Sequence, residues 1–292
     1  MASASSIPRL FDVHALTLHA ERAMRLNQPA DFLLQRAAND LSDRLAVVLR
    51  DFEHRLDLGT PLPLAASMLA QKPGQLTRLV QPGWPTGKGP WTTVESPLET
   101  LPLTPESFDL AVSLLALQSV DDLPGTLIQL RRALKPDGLF IACLLGGETL
   151  TELRQSFLEA EIAVEGGASP RVAPFADLRD CGTLLQRAGF ALPVTDVDRV
   201  IVRYSDPFAL MRDLRAMGAA NPLAERRRGF LRRETLMKAA QIYAERFSDD
   251  DGRVRATFDL VWMSGWVPHE SQQKPLKPGS AKMSLAEALK PK

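Results

Sequence analysis

Cysteine is scarce in this 292-residue chain: only Cys143 and Cys181 are present, with no CxxC spacing. Both sit in apolar or helical surroundings, so buried free thiols in a reducing compartment are expected rather than a disulfide framework. Histidine is nearly as rare. His14, His19, His54 and His269 show no metal-ligand spacing, and solvated or internally satisfied side chains are expected, with no metal site. Asp249-Asp250-Asp251-Gly252 lacks the later glutamate of a calcium loop and reads as a turn. Net charge is absent, since 35 basic and 35 acidic residues cancel, so no global field draws the chain to nucleic acid. No apolar run approaches the ~18–20 residues of a membrane span, and the polar stretch from Met1 to Pro8 has no signal-peptide core. A soluble protein of the bacterial cytoplasm is expected, with the mitochondrial matrix as the alternative.

What is present is material for a large core. Hydrophobic residues make up 45% and charged residues 24%, enough for one large α/β domain or two modest ones. Residues 1–10 read as disordered, and Phe11 to Leu26 is basic and amphipathic. Residues 31–50 predict a helix capped by Asp31, with Phe32, Ala37, Leu41, Leu45, Val48 and Leu49 on one face. Short strands follow at 54–58 and 76–80 around a helix near 64–71, with a weak third strand closed by Val94. Phe108 to Leu117 and Leu139 to Leu145 are continuous apolar runs, the mark of strands buried on both faces. Between them Asp121-Asp122 cap a helix that Lys135-Pro136-Asp137-Gly138 stops. Helices are expected after Gly146-Gly147 and over 178–188, 207–217 and 233–247. Strand character returns at 194–204 and 253–266, the latter placing Ala256, Phe258, Leu260 and Trp262 on one face. Alternating strands and helices predict a doubly wound, mostly parallel sheet, with the two late strands added antiparallel at its edge. Trp262, Trp266 and Tyr243 fit core periodicity better than a binding box.

The stretch Leu56-Asp57-Leu58-Gly59-Thr60-Pro61-Leu62-Pro63 reads as a strand running through a turn into a helix. In α/β proteins that junction holds nucleotide-like cofactors, because a helix N-terminus offers free N–H groups. The order of elements, with Leu101-Pro102-Leu103, Ser107-Phe108-Asp109-Leu110-Ala111-Val112-Ser113 and Leu134-Lys135-Pro136-Asp137-Gly138, resembles the class I S-adenosylmethionine-dependent methyltransferases. Gly146-Gly147-Glu148-Thr149-Leu150, Leu184-Leu185-Gln186-Arg187-Ala188-Gly189-Phe190, Leu210-Met211-Arg212-Asp213-Leu214 and His269-Glu270-Ser271-Gln272 narrow the resemblance to the mitochondrial complex I assembly factor of methyltransferase fold and its bacterial relatives. The resemblance covers nearly the whole chain. It implies a Rossmann-like core over 31–206 with N-terminal helices, 1–30 as an extension and 207–252 as a helical cap. It also implies a late strand at 253–267 returning to the core sheet and an extended tail at 268–292. The implied cofactor is S-adenosylmethionine, and the implied partner is a respiratory complex I subunit, an arginine of which is modified in the family.

The resemblance assigns cofactor contacts to Asp57, Gly59, Thr60, Gln81, Glu99 and Leu117, and the sequence departs from it in four places. Pro61 and Pro63 replace the two later glycines of the turn, and proline has no N–H and a fixed φ. Gln81 stands where a carboxylate would hold the ribose hydroxyls, and a neutral amide oxygen accepts more weakly. Pro97 replaces the acidic adenine partner, and Leu117-Gln118-Ser119 replaces Leu-His-Trp. A one-residue slip near the proline-rich stretch would let Glu95 or Glu99 supply a carboxylate. Taken together the departures predict a degraded cofactor site in an assembly-factor-like protein. The alternative is an active methyltransferase on a small molecule or carrier protein, as in the related malonyl-carrier-protein enzymes. Glu148, at the C-terminal end of a strand, is expected to face the cleft, as a functional carboxylate or as a helix N-terminal charge. Arg226-Arg227-Arg228 with Arg232-Arg233 reads as a solvated face or a docking surface for an acidic partner; few aromatics accompany it, so nucleic acid is not expected.

Overall fold

The computed structural model describes residues 9–26 and 30–272. The expected disorder of 1–8 and the extended tail beyond 272 lie outside the described residues. Seven strands form one sheet: β1 (His54–Leu58), β2 (Gln75–Val80), β3 (Thr92–Glu95), β4 (Phe108–Leu114), β5 (Leu134–Leu145), β6 (Ala191–Tyr204) and β7 (Val254–Trp266). Their order is β3-β2-β1-β4-β5-β7-β6. The first five strands are parallel, while β7 runs antiparallel between β5 and β6. The helices are α1 (Val13–Met24), α2 (Phe32–Ala46), α3 (Leu64–Leu69), α4 (Leu123–Ala133), α5 (Thr151–Glu165), α6 (Leu178–Ala188), α7 (Pro207–Ala216) and α8 (Arg233–Phe247).

The apolar runs of the central strands divide residue by residue between two cores. Leu56, Leu58, Phe140, Ala142 and Leu144 pack with Leu127 and Leu130 of α4 and Leu185 of α6 on one face. Leu110, Val112, Leu114, Ile141 and Cys143 pack with Ala37 and Leu41 of α2 and Ala65 and Ala66 of α3 on the other. A third core joins α5, α7 and α8 to β7 through Phe157, Leu210, Tyr243 and Phe258. Both cysteines are free and buried, and burial pushes their thiols up, Cys181 to about 11.

Several local expectations are corrected. Helix α2 ends at Ala46, before the β-branched pair Val47-Val48, so Leu49 is fully exposed instead of lying on the inner face. Asp31 occupies the N-cap of α2 without a side-chain cap bond. Lys135-Pro136-Asp137-Gly138 does follow the end of α4, but it lies inside β5 as a bulge, with Asp137 at φ 63°. Strand β4 stops at Leu114 because Leu115 turns to φ 50°, and a short 3-10 turn occupies Leu117–Ser119. Of the two late strands only β6 lies at an edge of the sheet, opposite the β3 edge. Because β7 is interior, Val261 and Met263 are buried along with the expected face.

Candidate functional site

Strand order reverses between β1 and β4, and a cleft opens beyond the C-terminal ends of the parallel strands, where α/β sheets bind ligands. It has a volume of about 760 Å³. Pro61 follows β1 into it, Gln81 and Trp84 follow β2, Ala116 and Gln118 follow β4, and Leu145 ends β5. Helices α1 and α7 cover the opposite side.

Below Pro61 lies a buried polar knot. Thr60 Oγ1 donates to Asp57 Oδ1 at 2.5 Å and accepts from Leu114 N at 3.2 Å, tying the turn to β4. Arg78, in the middle of β2, is fully buried beside Asp57, its Nε 3.3 Å from Oδ2. The same guanidinium donates to the carbonyls of Thr60 (2.8 Å), Pro85 (2.6 Å) and Thr86 (2.7 Å), pinning the loop after β2 to the turn after β1. Burial pushes the Asp57 carboxyl up to about 6, against the pull of Thr60 and Arg78, and burial pulls Arg78 down, with Asp57 opposing. Gly59 has φ 68° and its N–H bonds Leu79 O; a Cβ there would come within 2.9 Å of Leu98 and 3.1 Å of Ala116. Conformation and packing both require glycine at this position.

The six residues assigned to the cofactor sit in different settings. Gln81 alone of them lines the large cleft. Its side chain is 8% exposed and forms no hydrogen bond among the described residues. Asp57 and Thr60 have their side chains committed to each other, to Arg78 and to β4. Leu117 is in the core and borders a second, smaller pocket of about 350 Å³. Glu99 lies outside the lining, where its carboxylate accepts from Asp121 N at 3.4 Å; Glu95 is exposed.

Glu148 is exposed and is not among the residues that line the cleft. The 146–150 turn is drawn onto β7 by Gly146 N to Asp259 O and Leu150 N to Thr257 O, which leaves Glu148 exposed. Part of the arginine cluster is already paired within the chain: Arg226 with Asp12 at 2.9 Å and Arg227 with Glu165.

Sequence reasoning missed Arg78, although an arginine at the centre of an apolar parallel strand was a signal. It also missed Trp84, whose indole N–H is buried without a partner among the described residues, as is the Gln118 Oε1 atom. Chemically, the β-strand end of the cleft offers amide, indole and hydroxyl groups; among the described residues the lining carries one carboxylate, Asp31, and three arginines, Arg171, Arg212 and Arg215.

A family model described as a methyltransferase domain matches residues 65–142, beginning just past the proline-bearing turn. The chain is 40% identical over 266 residues to the mitochondrial arginine-hydroxylase NDUFAF5 of Danio rerio, covering 89% of this chain and 83% of that one. The human NDUFAF5 is 37% identical, over 97% and 85% of the two chains. A malonyl-[acyl-carrier protein] O-methyltransferase of Laribacter hongkongensis is 38% identical over 75% of this chain and 71% of its own. The fold matches that of the YcgJ protein of Bacillus subtilis, with a TM-score of 0.54, 11% identity and coverage of 80% and 99%. S-adenosylmethionine is the cofactor expected of such a protein. By fold, domain and extended identity, the chain belongs to the class I S-adenosylmethionine-dependent methyltransferase superfamily, in the group that contains the NDUFAF5 proteins.

Proposed function

We propose that this protein works as an assembly factor of methyltransferase fold, acting on a protein partner, and that its cleft has lost micromolar binding of S-adenosylmethionine. The observation that carries the reading is the locked state of Asp57. Its carboxylate is wholly buried against Thr60 and Arg78, under a turn bearing Pro61 and Pro63. Among the described residues no other carboxylate lines the cleft at the end of β2, where Gln81 stands. Charge points the same way. The cofactor carries a net positive charge, and among the described residues the lining sets one carboxylate, Asp31, against Arg212 and Arg215, with Arg171 already paired to Glu161.

Kinship with the NDUFAF5 proteins makes a respiratory complex I subunit the proposed partner. The corresponding settings are the bacterial cytoplasm and, as the alternative, the mitochondrial matrix. No helix among the described residues is long and apolar enough to cross a membrane.

A second reading, an active methyltransferase on a small molecule or carrier protein, is favoured by Gln81, Trp84 and Gln118. Among the described residues these three leave hydrogen-bonding groups without internal partners along the cleft, and the relative from Laribacter hongkongensis acts on a carrier protein by its name. In that reading Gln81 would hold the ribose hydroxyls, and the cofactor would supply an electrophilic methyl group. Calorimetric titration of the full chain separates the two. No saturable heat up to about 1 mM S-adenosylmethionine is expected; a Kd in the micromolar range overturns the first reading and installs the second.

A further inference from the structure

Away from Gln81 and Gln118, the cleft is walled by aliphatic and aromatic side chains. Leu153 and Phe157 come from α5, Met211 and Leu214 from α7, Leu236 from α8 and Phe258 from β7. Its volume of about 760 Å³ falls within the roughly 300–1,000 Å³ of pockets that enclose small organic ligands. Water gains few hydrogen bonds from such walls, whereas a hydrocarbon chain laid along them loses its own contact with water.

Two of the charges that border this space come from one helix face; the others are Arg171 and Asp31. Arg212 and Arg215 are three residues apart on α7, so they are neighbours on its surface. Both contribute to the lining and both are exposed. Neither has an ion pair or a side-chain hydrogen bond among the described residues. The third arginine, Arg171, is already engaged, with its Nε 2.7 Å from Glu161 Oε1. The space thus pairs an apolar interior with two uncommitted guanidinium groups at its border. A guanidinium presents a planar fork of donors that matches a carboxylate or a phosphate.

We propose that the cleft binds a single-chain anionic amphiphile, with the hydrocarbon chain along the α5–α7–β7 wall and the anionic head on Arg212 and Arg215. The assignment rests on the reading that the cleft is not reserved for S-adenosylmethionine. A fatty acid and a lysophosphatidate share this chemistry, and the head group distinguishes them.

Trp84 lines the cleft and supplies the probe. Titration of the full chain with dibromostearate, below its micelle concentration, is expected to quench tryptophan emission saturably. Unlabelled stearate reverses the quenching, and stearyl alcohol does so with affinity lower by about tenfold or more. Trp84→Phe removes most of the saturable quenching while stearate still raises Tm. Arg212→Gln with Arg215→Gln weakens stearate binding by about tenfold or more and leaves the alcohol unchanged. Both arginines are exposed, so the variant folds. Stronger displacement by lysophosphatidate than by stearate supports the site and identifies the head as a phosphate. Absence of saturable quenching, equal affinity for acid and alcohol, or an unchanged affinity in the double variant overturns the proposal. The same samples titrated with S-adenosylmethionine keep the two readings apart. Micromolar cofactor binding that displaces the amphiphile overturns the functional reading and leaves the amphiphile site standing. Absence of binding by both ligands overturns the amphiphile site alone.

Discussion

Asp57 and Arg78 meet where neither touches solvent. Taking one partner of a buried pair away leaves the other charge uncompensated, at a cost of about 3–5 kcal/mol. Arg78→Met also strips donors from the carbonyls of Thr60, Pro85 and Thr86. Denaturant unfolding of this variant is expected to show a loss of about 3–5 kcal/mol, and a loss below about 1 kcal/mol would mean that the knot contributes little. The pH dependence follows from the same pair. The Asp57 carboxyl titrates near 3.8 unfolded and is pushed up to about 6 when folded, so the native state holds this proton more tightly. Its stabilising contribution is complete below the unfolded value and is lost as pH rises through about 6. Relative to Asp57→Asn, whose side chain does not titrate, the native protein is expected to lose roughly 2–3 kcal/mol between about pH 4 and 7. A constant difference between the two proteins across that range would contradict the assignment.

Elements carry the next level of organisation, and the clasp at the end of α5 shows how one holds a wall of the cleft. Glu161, 1% exposed, accepts from Ser169 N at 2.6 Å, from Ser169 Oγ at 3.0 Å and from Arg171 Nε at 2.7 Å. This fixes the loop that brings Val172, Ala173 and Phe175 to the cleft. Glu161→Ala is expected to cost about 3–5 kcal/mol and to lower amide protection around 169–175 before the sheet is affected. Uniform loss across the sheet would show that the clasp is not local.

The sheet was legible because the apolar runs at Phe108 and Leu139 carry their own burial information on both faces. The bulge in β5 was not: Asp137 takes positive φ only because β4 and β7 hold the strand on both sides of it. Arg78 was legible only as an anomaly. In Leu76-Thr77-Arg78-Leu79 it shares a face with buried Leu76, but the carbonyls it bonds come from Thr60 and from residues 85 and 86 folding back over it, which no local pattern specifies. Gln81, assigned by resemblance at the end of the second strand, lines the cleft, while the directions of Thr60, Glu99 and Glu148 are set by hydrogen bonds to residues far along the chain.

At the scale of the whole molecule, the proposed loss of cofactor binding rests on several groups around the cleft at once, so under that proposal restoring one of them should not restore binding. Pro61→Gly with Pro63→Gly returns backbone freedom and N–H donors to the turn. It also raises the entropy of the unfolded chain, costing about 0.4–1 kcal/mol for each site. It leaves Asp57 locked by Arg78 and leaves the β2 end without a carboxylate. This double variant is expected to give no saturable heat with S-adenosylmethionine at about 1 mM. Adding Gln81→Glu places an anionic acceptor in the lining where the ribose hydroxyls would lie, and charge-assisted hydrogen bonds are roughly twice as strong as neutral ones. The triple variant is therefore expected to bind with a Kd below about 1 mM, read by the same calorimetry and by a ligand-dependent rise in Tm. Micromolar binding by the double variant would locate the whole defect in the two prolines. Silence from the triple variant would mean that the excess of arginine over carboxylate in the lining excludes the cationic cofactor even from a repaired turn.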